Sequence, residues 1–261
     1  MSEIEDPTGD ALVEGVEIAA GLDEPEEAPR RGLLASSATP AVGTALSRAT
    51  GLLRVSALTA ALGLTSVADT YNLANTTPNI LYELVLGGVL SSTLVPMFIH
   101  GSSDEGMDGS PEDADDTASV LMTVSFVAIT VLSILAVLAS PLINQLFALP
   151  LEGAEKAQQL RLGDEFLALL LPQVFFYGMT TLMTAQLHAR RRFAAPAFAP
   201  VLTNVITSAA GVAVWWLIST GRTDADSTAT VYLLGLGTTA GVASMATALL
   251  PSLRRAGINL R

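Results

Sequence analysis

The sequence predicts an all-α fold, a polytopic bundle of six membrane helices, and three observations carry that prediction. Residues 117–151, 166–189, 193–221 and 227–253 contain no Asp, Glu, Lys or Arg. A bilayer core ~30 Å thick takes about 20 mostly apolar residues per helix, so each run is long enough to cross. Half of the 261 residues are hydrophobic and only 15% are charged, well below the roughly one quarter usual in soluble domains. The acids are also segregated: ten of the 25 Asp and Glu lie in residues 1–30 and seven more in 101–116. The net charge of −12 therefore belongs to two appendages, and it says nothing about a cationic substrate.

Taken in order, residues 1–36 are acidic, contain proline and have no aromatic residue. That composition buries too little apolar surface to offset chain entropy and predicts a disordered cytoplasmic tail. An acidic extreme N-terminus with no apolar core is not a secretory signal. The membrane lobe then covers 37–261. Its first helix is expected over about 40–63, opening on Thr39 and Pro40 as cap and first-turn proline. Gly63 is its expected stop. The second runs over about 66–99, too long for a straight span, and Pro78 with Gly87-Gly88 predicts a kink. Residues 101–116 read as a polar loop, and the remaining helices cover about 117–146, 160–190, 195–219 and 228–252.

Several function classes fall away. Without cysteine there are no disulfides, thiolate metal sites or cysteine nucleophiles. No basic nucleic-acid footprint and no phosphate-cradling glycine loop with its lysine is present. His100 and His188 stand alone, without the acidic or cysteine neighbours of a metal site. No enzyme activity, cofactor or metal is expected. Gly237 and Gly241 read as close helix packing, and Trp215 and Trp216 as an interfacial belt.

The first two helices hold the informative charges. An arginine at a helix centre costs roughly 2.5–3.5 kcal/mol on insertion scales, and such residues usually face a bundle interior or a wet cavity. Arg48 and Arg54 lie six residues apart, hence about 120° around a helix, so both can border a wide cavity. The alternative is that one snorkels to the interface or pairs structurally with Asp69 or Glu83. Asp69, at the start of the second helix, suits a cap as well as a ligand role. Glu83 lies deeper, past Pro78, and needs a partner there; a first-helix arginine is the candidate.

The string Ser47-Arg48-Ala49-Thr50-Gly51-Leu52-Leu53-Arg54, followed by Ala61-Leu62-Gly63, Ala68-Asp69-Thr70-Tyr71, Pro78-Asn79 and the Ser91–Pro96 segment, resembles the amino-terminal signature of the MurJ/MviN lipid II flippases. A second block, Arg192-Phe193-Ala194-Ala195-Pro196-Ala197-Phe198-Ala199-Pro200 with Asn204 downstream, is similar to another stretch of that family. The acidic tail and arginine-biased composition are compatible with an actinobacterial member. The resemblance implies a transporter of the multidrug/oligosaccharidyl-lipid/polysaccharide exporter superfamily, with lipid II and membrane lipids as its partners. By its pattern Arg48, Arg54 and Asp69 fall on functionally important positions, and Asn79 and Glu83 complete the candidate substrate-binding residues. Tyr82 and Glu83 stand where many members carry a basic pair, and Gly87 replaces a common acid, so Arg48 and Arg54 would carry more of the load. The family has two lobes and this chain six expected spans, so it reads as the first lobe.

Three functions remain open: flipping of lipid II in cell-wall synthesis, export of another lipid-linked glycan or drug, and a non-transporting scaffold recruiting cell-wall machinery through the acidic tail. Two arginines inside a membrane helix favour a carrier of phosphate lipids over a scaffold. Orientation follows from flanking cations. With the N-terminus inside the cytoplasmic membrane, eight Arg (30, 31, 190, 191, 192, 254, 255 and 261) lie inside, whereas Lys156, Arg161 and Arg222 lie outside. Both termini are thus expected in the cytoplasm. An Arg191→Cys variant should stay unlabelled by a membrane-impermeant maleimide in intact cells, and labelling there would reverse the topology.

Overall fold

The computed structural model describes residues 30–84 and 111–256, with side chains over 39–84 and 123–256. All regular structure among the described residues is helical: α1 (Arg30–Leu62), α2 (Ser66–Leu84), α3 (Pro111–Leu138), α4 (Ser140–Phe147), α5 (Gly153–Leu170), α6 (Gln173–Ala189), α7 (Ala194–Ser219) and α8 (Thr228–Arg255). Residues Met1–Ala38 and Thr39–Arg261 form separate units, and the bundle belongs to the second.

Three stretches, Gly153–Ala189, Ala194–Ser219 and Thr228–Arg255, are long and apolar enough to cross a membrane. A fourth is broken: Thr123–Leu138 and Ser140–Phe147 meet at 55°. Pro141 sits in the first turn of α4, and its missing N–H cannot continue the α3 ladder, which locates the bend. The expected third to sixth spans are therefore present as helices, the fourth being α5 and α6 together.

α3 starts at Pro111 rather than near 117, so residues 111–116 of the expected polar loop are helical. The first two helices also differ from expectation. α1 starts at Arg30, so Pro40 lies inside it rather than in its first turn, and residues 30–36 of the expected tail are helical. Proline removes one backbone donor, a loss that a 33-residue helix carries without ending. α1 stops where expected: Gly63 adopts φ +65° and its N–H bonds Thr59 O at 2.8 Å, a left-handed stop that glycine adopts without strain. α2 runs unbroken through Pro78 to Leu84. The expectations for residues 1–29 and 85–110, including the rest of the second helix, His100 and most of the acidic loop, lie outside the described residues.

Neighbouring side chains give the bundle its order. Thr203 Oγ1 donates to Gly241 O at 3.0 Å, and a Cβ at Gly237 would lie 2.5 Å from the Ala210 Cβ. α7 and α8 thus cross antiparallel through the small-residue pair, as read from sequence. α8 runs parallel to α5 and α6: Thr239 Oγ1 donates to Leu169 O at 2.7 Å, and Arg190 Nη1 to Ala256 O at 2.5 Å. α2 runs parallel to the same pair, with Ser66 bonded to Gln158 and Thr70 to Gln159. Tyr71, Phe166, Leu170, Val174 and Leu234 fill the seam among α2, α5, α6 and α8. Trp215 and Trp216 stay about half exposed, at 48% and 47%, and Arg222 stacks 4.5 Å over the Trp216 ring. That arrangement suits a headgroup-level belt.

One buried polar network locks the bent span. Asn144, fully buried, donates from Nδ2 to Leu160 O at 2.9 Å and Asp164 Oδ1 at 2.8 Å, and accepts from Gln159 Nε2 at 3.1 Å. Gln159 Oε1 in turn accepts from Thr70 Oγ1 at 2.7 Å, so α2, α4 and α5 share one chain of bonds. Gly163 leaves the room, since a Cβ there would fall 2.1 Å from Asn144 Oδ1. Asn144→Ala strands these partners and should lower the unfolding free energy by about 1–3 kcal/mol in mixed-micelle denaturation. An unchanged unfolding midpoint would show that the network contributes nothing.

Candidate functional site

The site begins where the two sequence blocks meet. α1 and α7 lie side by side in parallel: Gly43 faces Ala197, Gly51 faces Asn204, and Ala57 faces Gly211. A Cβ at Gly43 would sit 2.8 Å from that of Ala197, so only glycine lets the backbones approach this far. Asn204 is buried, and its Nδ2 donates to Ser47 O at 2.9 Å and to Thr50 Oγ1 at 3.2 Å. The asparagine of the second block therefore ties α7 to the arginine-bearing turn of α1.

Arg54 follows one turn later. It is half-buried, and its Nε is closed off from solvent with no hydrogen-bond partner among the described residues. Tyr71 is fully buried; its hydroxyl bonds Thr238 Oγ1 at 2.7 Å and its ring meets Phe166 edge-on at 5.4 Å. Tyr82 shares a short hydrogen bond with Thr181, and its ring lies 6.0 Å from that of Tyr177, tilted by 42°. Tyrosines of α2 thus tie it to α5, α6 and α8.

The expected arginine–carboxylate pairing does not form. Among the described residues the ion pair is Arg161–Asp226, at 3.2 Å on an exposed surface. Glu83 is exposed and accepts instead from Asn79 Nδ2 at 2.7 Å, one turn back on its own helix. A local partner four residues away costs less ordering than one on another helix. The structure thus brings Asn79 and Glu83 together, without an arginine. Arg48 is exposed on α1.

Asp69 is not the cap of α2. Thr65 Oγ1 accepts from Ala68 N at 3.4 Å and fills that role, because it stands one residue before the helix and Asp69 three residues inside it. The Asp69 carboxylate remains exposed in the first turn, where the helix dipole favours it. At ~1.5 Å rise per residue, Arg54 stands about 12 Å and Arg48 about 21 Å back from the end of α1. Glu83 lies about 26 Å into α2, near the level of Arg48, whereas Asp69 stays near the corner. The five candidates therefore spread along a wall and do not converge on one point. His188 is exposed with its ring 5.1 Å from Phe193, and no group of metal-binding side chains exists among the described residues.

Tyr71 and Tyr177 were not legible as site residues. Only the third dimension shows which helices they join.

This is a multi-pass helical membrane protein with a half-buried arginine in its bundle. The family model described as "Lipid II flippase MurJ" matches residues 58–261. The chain belongs to that family. The lipid II flippase MurJ of Burkholderia cenocepacia is 31% identical over 169 residues, covering 65% of this chain and 32% of that protein. The probable lipid II flippase MurJ of Rhizobium meliloti is 29% identical over 229 residues, covering 87% and 41%. A solved lipid II flippase MurJ in an inward closed conformation superposes with a TM-score of 0.56 at 22% identity, covering 83% of this chain and 42% of its own. The chain spans less than half the length of these relatives.

Asn204→Ala removes both side-chain bonds that hold α1. It should lower the thermal midpoint in detergent by the equivalent of about 1–3 kcal/mol. Ser47→Ala should leave the midpoint unchanged, because the acceptor there is a backbone carbonyl; equal effects of the two substitutions would refute the tie.

Proposed function

We propose that this chain is the lobe of a lipid II flippase that holds the pyrophosphate of the lipid-linked peptidoglycan precursor during its passage from inner to outer leaflet. The observation that carries the reading is Arg54: half-buried inside the bundle, with a buried donor and, among the described residues, no carboxylate paired with it. A cation placed in an apolar bundle and left unpaired is costly unless a ligand or water completes it. A guanidinium offers forked donors that match phosphate oxygens, and low local dielectric strengthens the contact. Arg48, on the same helix toward its N-terminal end, supplies a second cation. Asn79 and Glu83 hold each other near the level of Arg48, and Asp69 stands exposed in the first turn of α2.

On this reading α1 and α2 also cross the membrane, completing six spans with both termini in the cytoplasm. Their polar content, which sets them apart from the apolar spans, suits helices that line a wet cavity within the lobe of 37–261. Alternating access in the complete transporter would carry the headgroup across. The acidic tail of residues 1–36 would be the part available to cell-wall machinery.

The test is binding of lipid II to the chain in nanodiscs. Arg54→Ala should weaken it about ten-fold or more, the loss expected for a charged hydrogen bond. Arg54→Lys should recover part, since it keeps the charge but not the fork. Undecaprenyl pyrophosphate should compete and undecaprenol should not. Wild-type affinity in the Arg54→Ala variant would overturn the assignment, and competition by undecaprenol alone would show that only the tail is bound.

A further inference from the structure

We infer that the arginine-rich end shared by α6, α7 and α8 is a docking surface for the headgroup of an anionic glycerophospholipid, and that Arg191 is retained there for its charge. The surface lies apart from Arg54: Phe193 stands about 16 Å along α7 from Asn204, which faces Gly51. The inference therefore does not rest on the pyrophosphate reading.

Two helix ends supply the first observation, because α6 and α7 close with the same backbone pattern. At the end of α7 the Gly221 N–H bonds Ile218 O at 3.0 Å, and the Arg222 N–H bonds Leu217 O at 2.9 Å. At the end of α6 the Arg191 N–H bonds His188 O at 2.9 Å, and the Arg192 N–H bonds Leu187 O at 2.8 Å. This closure takes a left-handed residue, and Gly221 adopts it at φ +68° without strain. Arg191 fills the same position at φ +56°, the one positive-φ residue among those described that is not glycine. A side chain there crowds its own backbone, so glycine would serve the fold better. Strain kept at one point is a sign that the side chain has a use. Arg191 is exposed and makes no ion pair among the described residues.

The second observation is the gathering of like charge. Arg190 Nη1 donates to Ala256 O at 2.5 Å, just past the last turn of α8, which carries Arg254 and Arg255. That bond draws Arg190, Arg191, Arg192, Arg254 and Arg255 to one end of the bundle. All five are exposed, and none is ion-paired among the described residues. No Asp or Glu occurs in 166–223 or 227–261, so the helices that bear these arginines bring no acid with them. The negative ends of α6 and α8 account for Arg190, Arg254 and Arg255. They give no reason for a left-handed arginine at 191.

The third observation is apolar. Phe193 is exposed beside this cluster, with its ring 5.1 Å from that of His188. Cations next to an outward aromatic ring suit the boundary where phosphates overlie acyl chains. Guanidiniums offer forked donors to phosphate oxygens, and an anionic leaflet attracts each one held near it. A soluble phosphate would satisfy the arginines and leave Phe193 in water, whereas a lipid engages both. That commits the surface to a lipid.

The experiment measures the affinity of phosphatidylglycerol for the whole chain in neutral detergent micelles, beside the lipid-free thermal midpoint of each variant. The wild-type chain should bind phosphatidylglycerol more tightly than phosphatidylcholine. Arg191→Gly should weaken phosphatidylglycerol binding about five-fold. It should also raise the lipid-free midpoint by about 2 °C as the strain is relieved. Arg191→Lys should bind as the wild-type chain does, since it keeps the charge. Equal affinity of the wild-type chain for the two lipids would overturn the inference, and is the result expected if the acidic 101–116 segment neutralised the patch. Wild-type affinity in Arg191→Gly would reduce the cluster to an orientation signal and overturn it equally. A midpoint that does not rise in Arg191→Gly would refute the claim that Arg191 is retained against the preference of the fold. Glycerol phosphate should not compete; displacement of the lipid by it at equal concentration would reassign the arginines to soluble phosphates.

Discussion

An arginine within a membrane bundle is the constraint around which the rest of this structure is arranged. A guanidinium facing lipid would cost roughly 2.5–3.5 kcal/mol even on the lenient insertion scales, so the protein must supply polar surroundings. Among the described residues it does so without a carboxylate. The Asn204 amide fixes the turn before Arg54, and glycines at 43 and 51 allow α7 to approach α1. Had Glu83 been its ion-pair partner, the site would be neutral and closed to an anion. Instead Glu83 is engaged by Asn79, and the positive charge is kept.

Holding that charge in place requires a rigid frame, and polar contacts supply it where membrane helices lack a strong hydrophobic drive to associate. The Thr70–Gln159–Asn144–Asp164 chain binds α2 to the bent span and to α5. Thr203 and Tyr71 reach α8 from α7 and α2. Gly237 and Gly241 let α7 and α8 meet closely enough for the Thr203 bond. The wall of α1 is thus set by α7, α7 by α8, and α8 by α5 and α6.

Charge-free runs made the apolar spans legible in the sequence, because length and apolarity alone define a helix in hydrocarbon. The stop at Gly63 and the packing of Gly237 and Gly241 were readable for equally local reasons. The start of α1 was not. Pro40 resembles a first-turn proline, yet a long helix carries it internally. The Asp69 cap was misplaced by four positions because Thr65 offers the same local chemistry nearer the helix end. Pairing across helices was least legible: Glu83 could not be assigned to Asn79 rather than to an arginine without knowing which groups face one another. The tyrosines escaped for the same reason, whereas Asn204 was visible as part of a motif but not as the tie it forms.

The central claim is that Arg54 stands ready for an anion, and chemical footprinting of the unmodified chain tests it most directly. Phenylglyoxal attacks a guanidinium that water can reach and is blocked where an oxyanion occupies it. Mass spectrometry of the chain in nanodiscs should show Arg54 modified when no ligand is present. Undecaprenyl pyrophosphate should protect it, whereas undecaprenol should not, with Arg222 modified equally throughout. An Arg54 that never reacts, or that reacts to the same extent with and without the pyrophosphate lipid, would contradict the account.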